Sequence, residues 1–214
     1  MNTNNHRNDL PRREREKLAH RNEIIDAAIR IFSKKGFFYA TLGEVAKEAE
    51  FSKGTLYLYF TNKEDLLYNI VKEKTAAFAQ IIKEALPGTL SFKQELTGLF
   101  KRIAEISFSE KDLLSLIMAQ HAANFKALSP INAKELHSAH DAFYDIIQNR
   151  VTSACGRDEL RKLEPRTITG LIHGSLEHMM ITRWNYESPE QLKKGVETYI
   201  DIIFNGIAKE KENS

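Results

Sequence analysis

Apolar residues recur along this chain at the three-and-four spacing that puts them on one face of an α-helix. Ile24, Ala27, Ala28, Ile31 and Phe32 form a first stripe, which stops at Gly36. Leu66, Leu67, Ile70, Val71, Ala77, Phe78, Ile81 and Ile82 form a longer one. Further stripes run through Leu96, Leu99, Phe100, Ile103 and Ile106, then Leu113, Leu114, Ile117 and Met118, then Phe143, Ile146, Ile147 and Val151. Leu171, Ile172, Leu176, Met179 and Met180 come next, and Val196, Tyr199, Ile200, Ile203, Phe204 and Ile207 complete the series. No run alternates with the period of two that a half-buried strand needs.

The breaks between stripes carry helix punctuation. Pro87-Gly88, Pro130, the stretch from Cys155-Gly156 to Pro165, and Pro189 separate them. Thr41…Glu44, Thr61…Glu64 and Ser91…Gln94 have the spacing of capping boxes, and Ser188-Pro189 places proline at a first helical position. An all-α fold of about nine helices follows, over roughly residues 16–35, 42–49, 53–60, 63–86, 91–107, 110–127, 131–154, 165–185 and 189–209. Ten glycines and five prolines among 214 residues agree with long helices and few turns.

Net charge is only +2, which excludes both a polybasic tail protein and an acidic disordered one. The balance is uneven, however. Residues 1–63 hold 12 Lys/Arg and 8 Asp/Glu, whereas residues 64–214 hold 19 and 21. A small basic module on a larger neutral body fits this. The most apolar later stretch, residues 113–119, spans seven residues where a membrane helix needs about 20. With no apolar leader either, a cytoplasmic chain with no membrane partner is expected. Cys155 is the single cysteine, so no internal disulfide forms.

Residues 41–63 carry the chemistry. Two short helices separated by a turn at Glu50-Phe51 cannot persist alone and need a third to pack on, here the stripe of residues 24–32. This is a helix-turn-helix, whose second helix enters the DNA major groove. Ser52, Lys53, Thr55, Tyr57 and Tyr59 all carry donors, Gly54 permits close backbone approach, and Leu56 and Phe60 lie one turn apart as a buried side. Tyr57 and Tyr59 fit two roles on spacing alone, DNA contact or half-buried core aromatic.

The string from Ser52 through Lys53-Gly54-Thr55-Leu56-Tyr57-Leu58-Tyr59-Phe60-Thr61-Asn62-Lys63 to Leu66 resembles the recognition helix and following turn of the TetR family of bacterial transcriptional regulators. Ile24 to Ala28, Phe32, Lys35-Gly36-Phe37 and Thr41 to Ala46 resemble that family too, so the likeness covers about residues 20–70. It implies phosphate contacts from Thr41, Ser52, Tyr59 and Lys63, and base-edge approach by Lys53, Gly54, Thr55 and Tyr57. Leu58, sometimes polar in the family, offers only an apolar contact. An arm over residues 7–21, with Arg7, Arg12, Arg13, Arg15, Lys17 and Arg21, either reaches an adjacent phosphate or minor groove or stays solvated.

The resemblance further implies two domains: residues 1–62 as basic arm and DNA-binding helix-turn-helix, and residues 63–214 as a helical ligand-binding and dimerisation bundle. Residues 165–185 and 189–209, striped and with Gly170, Gly174 and Ser175 on the former, are expected to form a four-helix homodimer interface. The reading helices would then face half-sites of a palindromic operator about 34 Å apart. Phe108, Met118, Phe125, Met180 and Trp184 are candidate apolar lining of an effector pocket, and His121, Asn124, His173 and Glu177 its polar contacts. Ordinary core or surface roles suit each of these residues as well. The stretch Tyr57 to Leu66 and the Gly174…Trp184 spacing are similar to the fatty-acid-degradation repressors of the family, which implies acyl-CoA as one form of small hydrophobic effector. The resemblance also implies a repressor released by that effector.

An enzyme is not expected. No Glu-x-x-His pair, His-Glu-x-x-His, Gly-x-Ser-x-Gly or phosphate loop occurs. His137 and His140 lie one turn apart but have no evident third ligand in the sequence, so neither metal nor cofactor is expected. A helix-turn-helix protein whose bundle takes only protein partners is the other alternative.

Overall fold

The computed structural model describes residues 11–122, 127–182 and 187–206, without the side chains of residues 120–122 and 189. Among these there is no strand, and nine helices follow in order: α1 (Arg12–Lys35), α2 (Leu42–Glu48), α3 (Lys53–Tyr57), α4 (Lys63–Ala85), α5 (Phe92–Ser109), α6 (Lys111–Ala122), α7 (Pro130–Gly156), α8 (Pro165–Ile181) and α9 (Pro189–Asn205). The expected all-α architecture is therefore present, with most boundaries displaced by three residues or fewer. No described helix is long and apolar enough to cross a membrane.

Two compact units divide the chain. The first holds Met1–Lys72 and Ser115–Ala133, the second Glu73–Leu114 and Lys134–Ser214. Helix α4 thus begins in the first unit and ends in the second, and α6 does the reverse.

In the first unit, α1 buries Ile24, Ile25, Ala27, Ala28 and Phe32, α2 buries Val45 and Ala46, and α4 buries Leu66, Leu67, Ile70 and Val71. The five-residue α3 is anchored by Leu56 and, just beyond it, Phe60, both fully buried. Burying each contributes about 1.5–3 kcal/mol, which a helix this short needs. Residues 12–21 are not a separate arm. They form the first turns of α1, closed by an Arg12–Glu16 pair at 2.8 Å, and Arg21 is held within the unit by Asn69 Oδ1 at 3.3 Å. Arg7 lies outside the described residues.

The turn from α2 to α3 is a Schellman motif, with Phe51 N–H on Ala46 O at 2.9 Å and Glu50 N–H on Lys47 O at 3.2 Å. Its left-handed position is Glu50, at φ 58°, where glycine is the usual residue. The start of α4 differs from expectation by one residue. Asn62 Oδ1, not the Thr61 hydroxyl, accepts from an N3 amide, that of Asp65 at 2.7 Å. The Asp65 carboxylate in turn accepts from Thr61 N–H at 2.8 Å, so the Asn62/Asp65 pair does the work assigned to Thr61/Glu64.

In the second unit α5 packs on α9 and α8. Its core joins Leu96, Leu99, Phe100 and Ile103 with Ile172, Leu176, Met179, Leu192 and Val196. An ion pair is buried there. Arg150 Nε donates to Glu95 at 2.6 Å, and Glu95 also accepts from Leu90 N–H at 3.0 Å. Burial pushes the Glu95 carboxyl up, but the Leu90 amide and the Arg150 guanidinium outweigh it and hold it below the ordinary range. The chain reverses after α7 at Asp158, φ 59°, rather than at Gly156, which stays helical. Cys155 is half-buried in that last turn.

Candidate nucleic-acid interface

Ser52 caps α3 by accepting from Thr55 N–H at 3.0 Å, and its hydroxyl also meets the Thr55 hydroxyl at 2.8 Å. Lys53, Gly54, Tyr57 and Leu58 are exposed, the last at 79%. These four residues form an outward surface over the buried Leu56 and Phe60. The Lys53 ammonium lies 6.0 Å from the Tyr57 ring centre. Two tyrosines on either side of Leu58 that were equivalent in the sequence separate here. Tyr57 is half in solvent, whereas Tyr59 is half-buried with its hydroxyl 3.5 Å from His20 Nδ1.

Thr41 caps α2 in the expected capping box. Its side chain accepts from Glu44 N–H at 3.2 Å, and its own N–H donates to Glu44 Oε2 at 3.0 Å. The Lys35 ammonium bonds to Glu44 and, with the Thr41 amide, holds that carboxylate below its usual range. Thr41 remains exposed while capping.

Lys63 has a different place from the one expected. Its ammonium donates to three carbonyls of the α1–α2 turn, Phe37 at 2.8 Å, Ala40 at 3.0 Å and Phe38 at 3.2 Å. An ammonium has three N–H groups, so all are committed inside the protein. The clamp holds a turn that carries Phe38 and Tyr39 into solvent, at 73% and 85% exposure. Nothing in the spacing of the sequence announces it, because donor and acceptors lie more than twenty residues apart.

Of the effector candidates, Phe108, His173 and Glu177 are half-buried and Met180 is buried, all in the second unit; the half-buried Met118 is in the first. The side chain of His121, together with Asn124, Phe125 and Trp184, lies outside the described residues. A charged cleft of the second unit, lined by Lys101, Glu105, Glu190, Lys193, Lys194 and Glu197, contains none of these candidates. The fold does bring His173 and Glu177 together, 3.9 Å apart on one face of α8. It adds His140 of α7, whose ring centre is 5.2 Å from that of His173. His137, one turn from His140 in the sequence, is not part of this group.

Residues 24–70 match the family described as bacterial regulatory proteins, tetR family. The fatty acid metabolism regulator protein of Bacillus subtilis is 22% identical over 187 residues, 86% of this chain and 94% of that protein. Among solved structures, the fatty acid degradation regulator FadR of Bacillus halodurans superposes with a TM-score of 0.71 at 19% identity, covering 89% of this chain and 97% of that one. FadR of Bacillus subtilis in complex with stearoyl-CoA gives 0.70 at 20% identity, over 87% and 98%.

Proposed function

This chain is a TetR-family transcriptional regulator, and we propose that it acts in the cytoplasm as a homodimeric repressor of a palindromic operator, released by a small hydrophobic effector of the acyl-CoA class. The observation that carries the DNA-reading half is the exposed face of α3. Lys53, Gly54 and Tyr57 offer a donor, a close backbone approach and a phenol, and Leu58 offers an apolar edge for a thymine methyl. Thr55 is assigned with them to the base edges, and Thr41, Ser52 and Tyr59 to phosphate contacts that set register. Lys63 acts as a positioning residue for the α1–α2 turn.

Residues 1–62 read DNA, and residues 63–214 bind effector and dimerise. An exposed α8 face supports the second assignment. Leu171 and Ile181 are in solvent, at 65% and 45%, with Gly170 and Gly174 beside them. Cβ atoms added at Gly174 would meet nothing within 4 Å, so a second helix can approach closely there. Pairing of residues 165–185 and 189–209 with their copies covers this face. The acyl-CoA class is supported by the stearoyl-CoA complex of the Bacillus subtilis FadR. The effector acts through α4 and α6, each of which runs from one unit into the other. It shifts the DNA-binding equilibrium only by its difference in affinity for the two states.

Selection of sites from random duplex DNA, followed by anisotropy titration with stearoyl-CoA, free CoA and stearate, tests both halves. Enrichment of two-fold symmetric sites with half-sites one helical turn apart, and release by stearoyl-CoA alone, is the expected result. No enrichment rejects the operator assignment. Enrichment with no release by stearoyl-CoA rejects the effector class and leaves the operator assignment standing.

A further inference from the structure

We propose that His140, His173 and Glu177 form a binding site for a divalent transition metal ion such as zinc, joining α7 to α8 within the second unit. One ligand atom from each residue lies within 4.8 Å of the others. His173 and Glu177 are four residues apart on α8, the spacing that lets two side chains of one helix reach the same ion. His140 reaches the same point from α7.

The donor set selects the class of ion. Two imidazoles and one carboxylate suit zinc and its first-row neighbours, whereas calcium and magnesium want an all-oxygen shell. In a tetrahedral zinc site with bonds near 2.0–2.1 Å, ligand atoms stand about 3.3 Å apart. Closing from 4.8 Å asks about 1 Å of movement from each of three half-buried side chains. Three protein ligands leave a fourth position for water or an exogenous donor.

The surroundings favour a held ion. The Phe143 ring centre is 5.5 Å from that of His140 and 5.2 Å from that of His173, and the Tyr144 ring is 5.6 Å from His173. Such an aromatic wall lowers the local dielectric and restricts ring rotation. Tyr144 also donates to the Arg166 carbonyl at 3.3 Å, which ties α7 to the start of α8 and sets the register that opposes His140 to His173. The site is independent of the effector class proposed above, and its test needs no DNA.

The test uses untagged full-length protein, stripped with EDTA and dialysed, then titrated with zinc against a chromophoric chelator and with cobalt by visible absorption. One ion per chain and tetrahedral cobalt bands are expected. His140→Gln, His173→Gln and Glu177→Gln should each weaken zinc at least about tenfold, while His137→Gln, one turn away, leaves affinity unchanged. Far-UV circular dichroism in EDTA confirms that each variant is folded. Zinc should raise the wild-type Tm and not that of His173→Gln. Absence of saturable binding at one ion per chain in the wild type overturns the proposal whatever the variants do. Equal weakening by His137→Gln overturns it too, since that would mean diffuse surface histidine binding.

Discussion

Lys63, the first residue of α4, donates its ammonium to the carbonyl of Phe37 at 2.8 Å and lies 4.5 Å over the ring of the same residue. One cation thus fixes both the backbone and the side chain of a turn that follows Gly36, whose φ of 79° needs a residue without a Cβ. Phe37 is itself buried against Phe32, with ring centres 5.4 Å apart, so the clamp connects the end of α1 to the start of α4.

The commitment of that ammonium decides what its loss does. Lys63→Ala should destabilise the protein by about 1–3 kcal/mol through three orphaned carbonyls. It should weaken operator and random DNA together while leaving the salt slope of binding unchanged. A direct phosphate contact would instead lower the slope by about one unit. Anisotropy titrations at several salt concentrations separate the two, and a slope lower by one would reject the positioning role.

Tyr57 is half in solvent, so its removal costs little folding energy. Tyr57→Ala should keep thermal stability within about 0.5 kcal/mol of wild type and abolish selective protection of the operator. Tyr59→Phe, which loses a 3.5 Å contact with His20 and the phosphate contact proposed for its hydroxyl, should bind more weakly but protect the same footprint as wild type. An intact Tyr57→Ala footprint would remove that residue from the reading face.

Leu171 is 65% exposed on α8. Leu171→Glu should leave the fold intact and convert the proposed dimer to monomer, because a charge in a closely packed two-fold interface would face its own copy. Light scattering after size exclusion reads the mass. A Leu171→Glu protein that stays dimeric at micromolar concentration would place the interface elsewhere.

Glu50 occupies a left-handed position at the turn of the helix-turn-helix. Glu50→Gly should relieve backbone strain that costs a side-chain-bearing residue about 1–2 kcal/mol. Part of this is offset by the greater freedom of glycine in the unfolded chain, leaving a gain of about 0.5–1 kcal/mol. Urea denaturation measures it. A lower midpoint in Glu50→Gly would show that the glutamate side chain contributes more than its strain removes.

Glu95 is buried and its carboxyl is held below the ordinary glutamate value of 4.5. A group depressed on folding stabilises fully above its unfolded pKa, and that contribution disappears as pH falls through the lower folded value. Stability should therefore decline on acidification below about pH 4.5, and Glu95→Gln should flatten this part of the profile. The same substitution leaves Arg150 buried without its partner charge and should cost about 3 kcal/mol at neutral pH. Denaturation midpoints from pH 3 to 7 give both numbers; an unchanged acid limb would assign it to other carboxylates.

Helix by helix, the architecture was legible because each element depends on near neighbours. Three-and-four spacing, a capping side chain three residues from its amide, and proline at a first turn all act within about ten residues. The stripe from Ile24 to Phe32, the Thr41/Glu44 box and the helix-turn-helix string from Ser52 to Leu66 are of this kind, and so the outward face of α3, which we assign to DNA, could be picked out too. At α4 even local chemistry left a tie, since Thr61 and Asn62 are both good caps, and the structure resolved it in favour of Asn62.

What the tertiary structure alone decided involves residues far apart in the chain. The separation of Tyr57 from Tyr59 depends on where α1 places His20, 39 residues before Tyr59. The recruitment of Lys63 depends on a turn 23–26 residues upstream, and the pairing of Glu95 with Arg150 crosses 55 residues. The convergence of His140 with His173 and Glu177 likewise requires α7 and α8 to pack side by side. Sequence periodicity specifies which face of a helix is buried, but not which other helix covers it. That partner is chosen by the packing of the whole core, and the polar chemistry between helices follows from it.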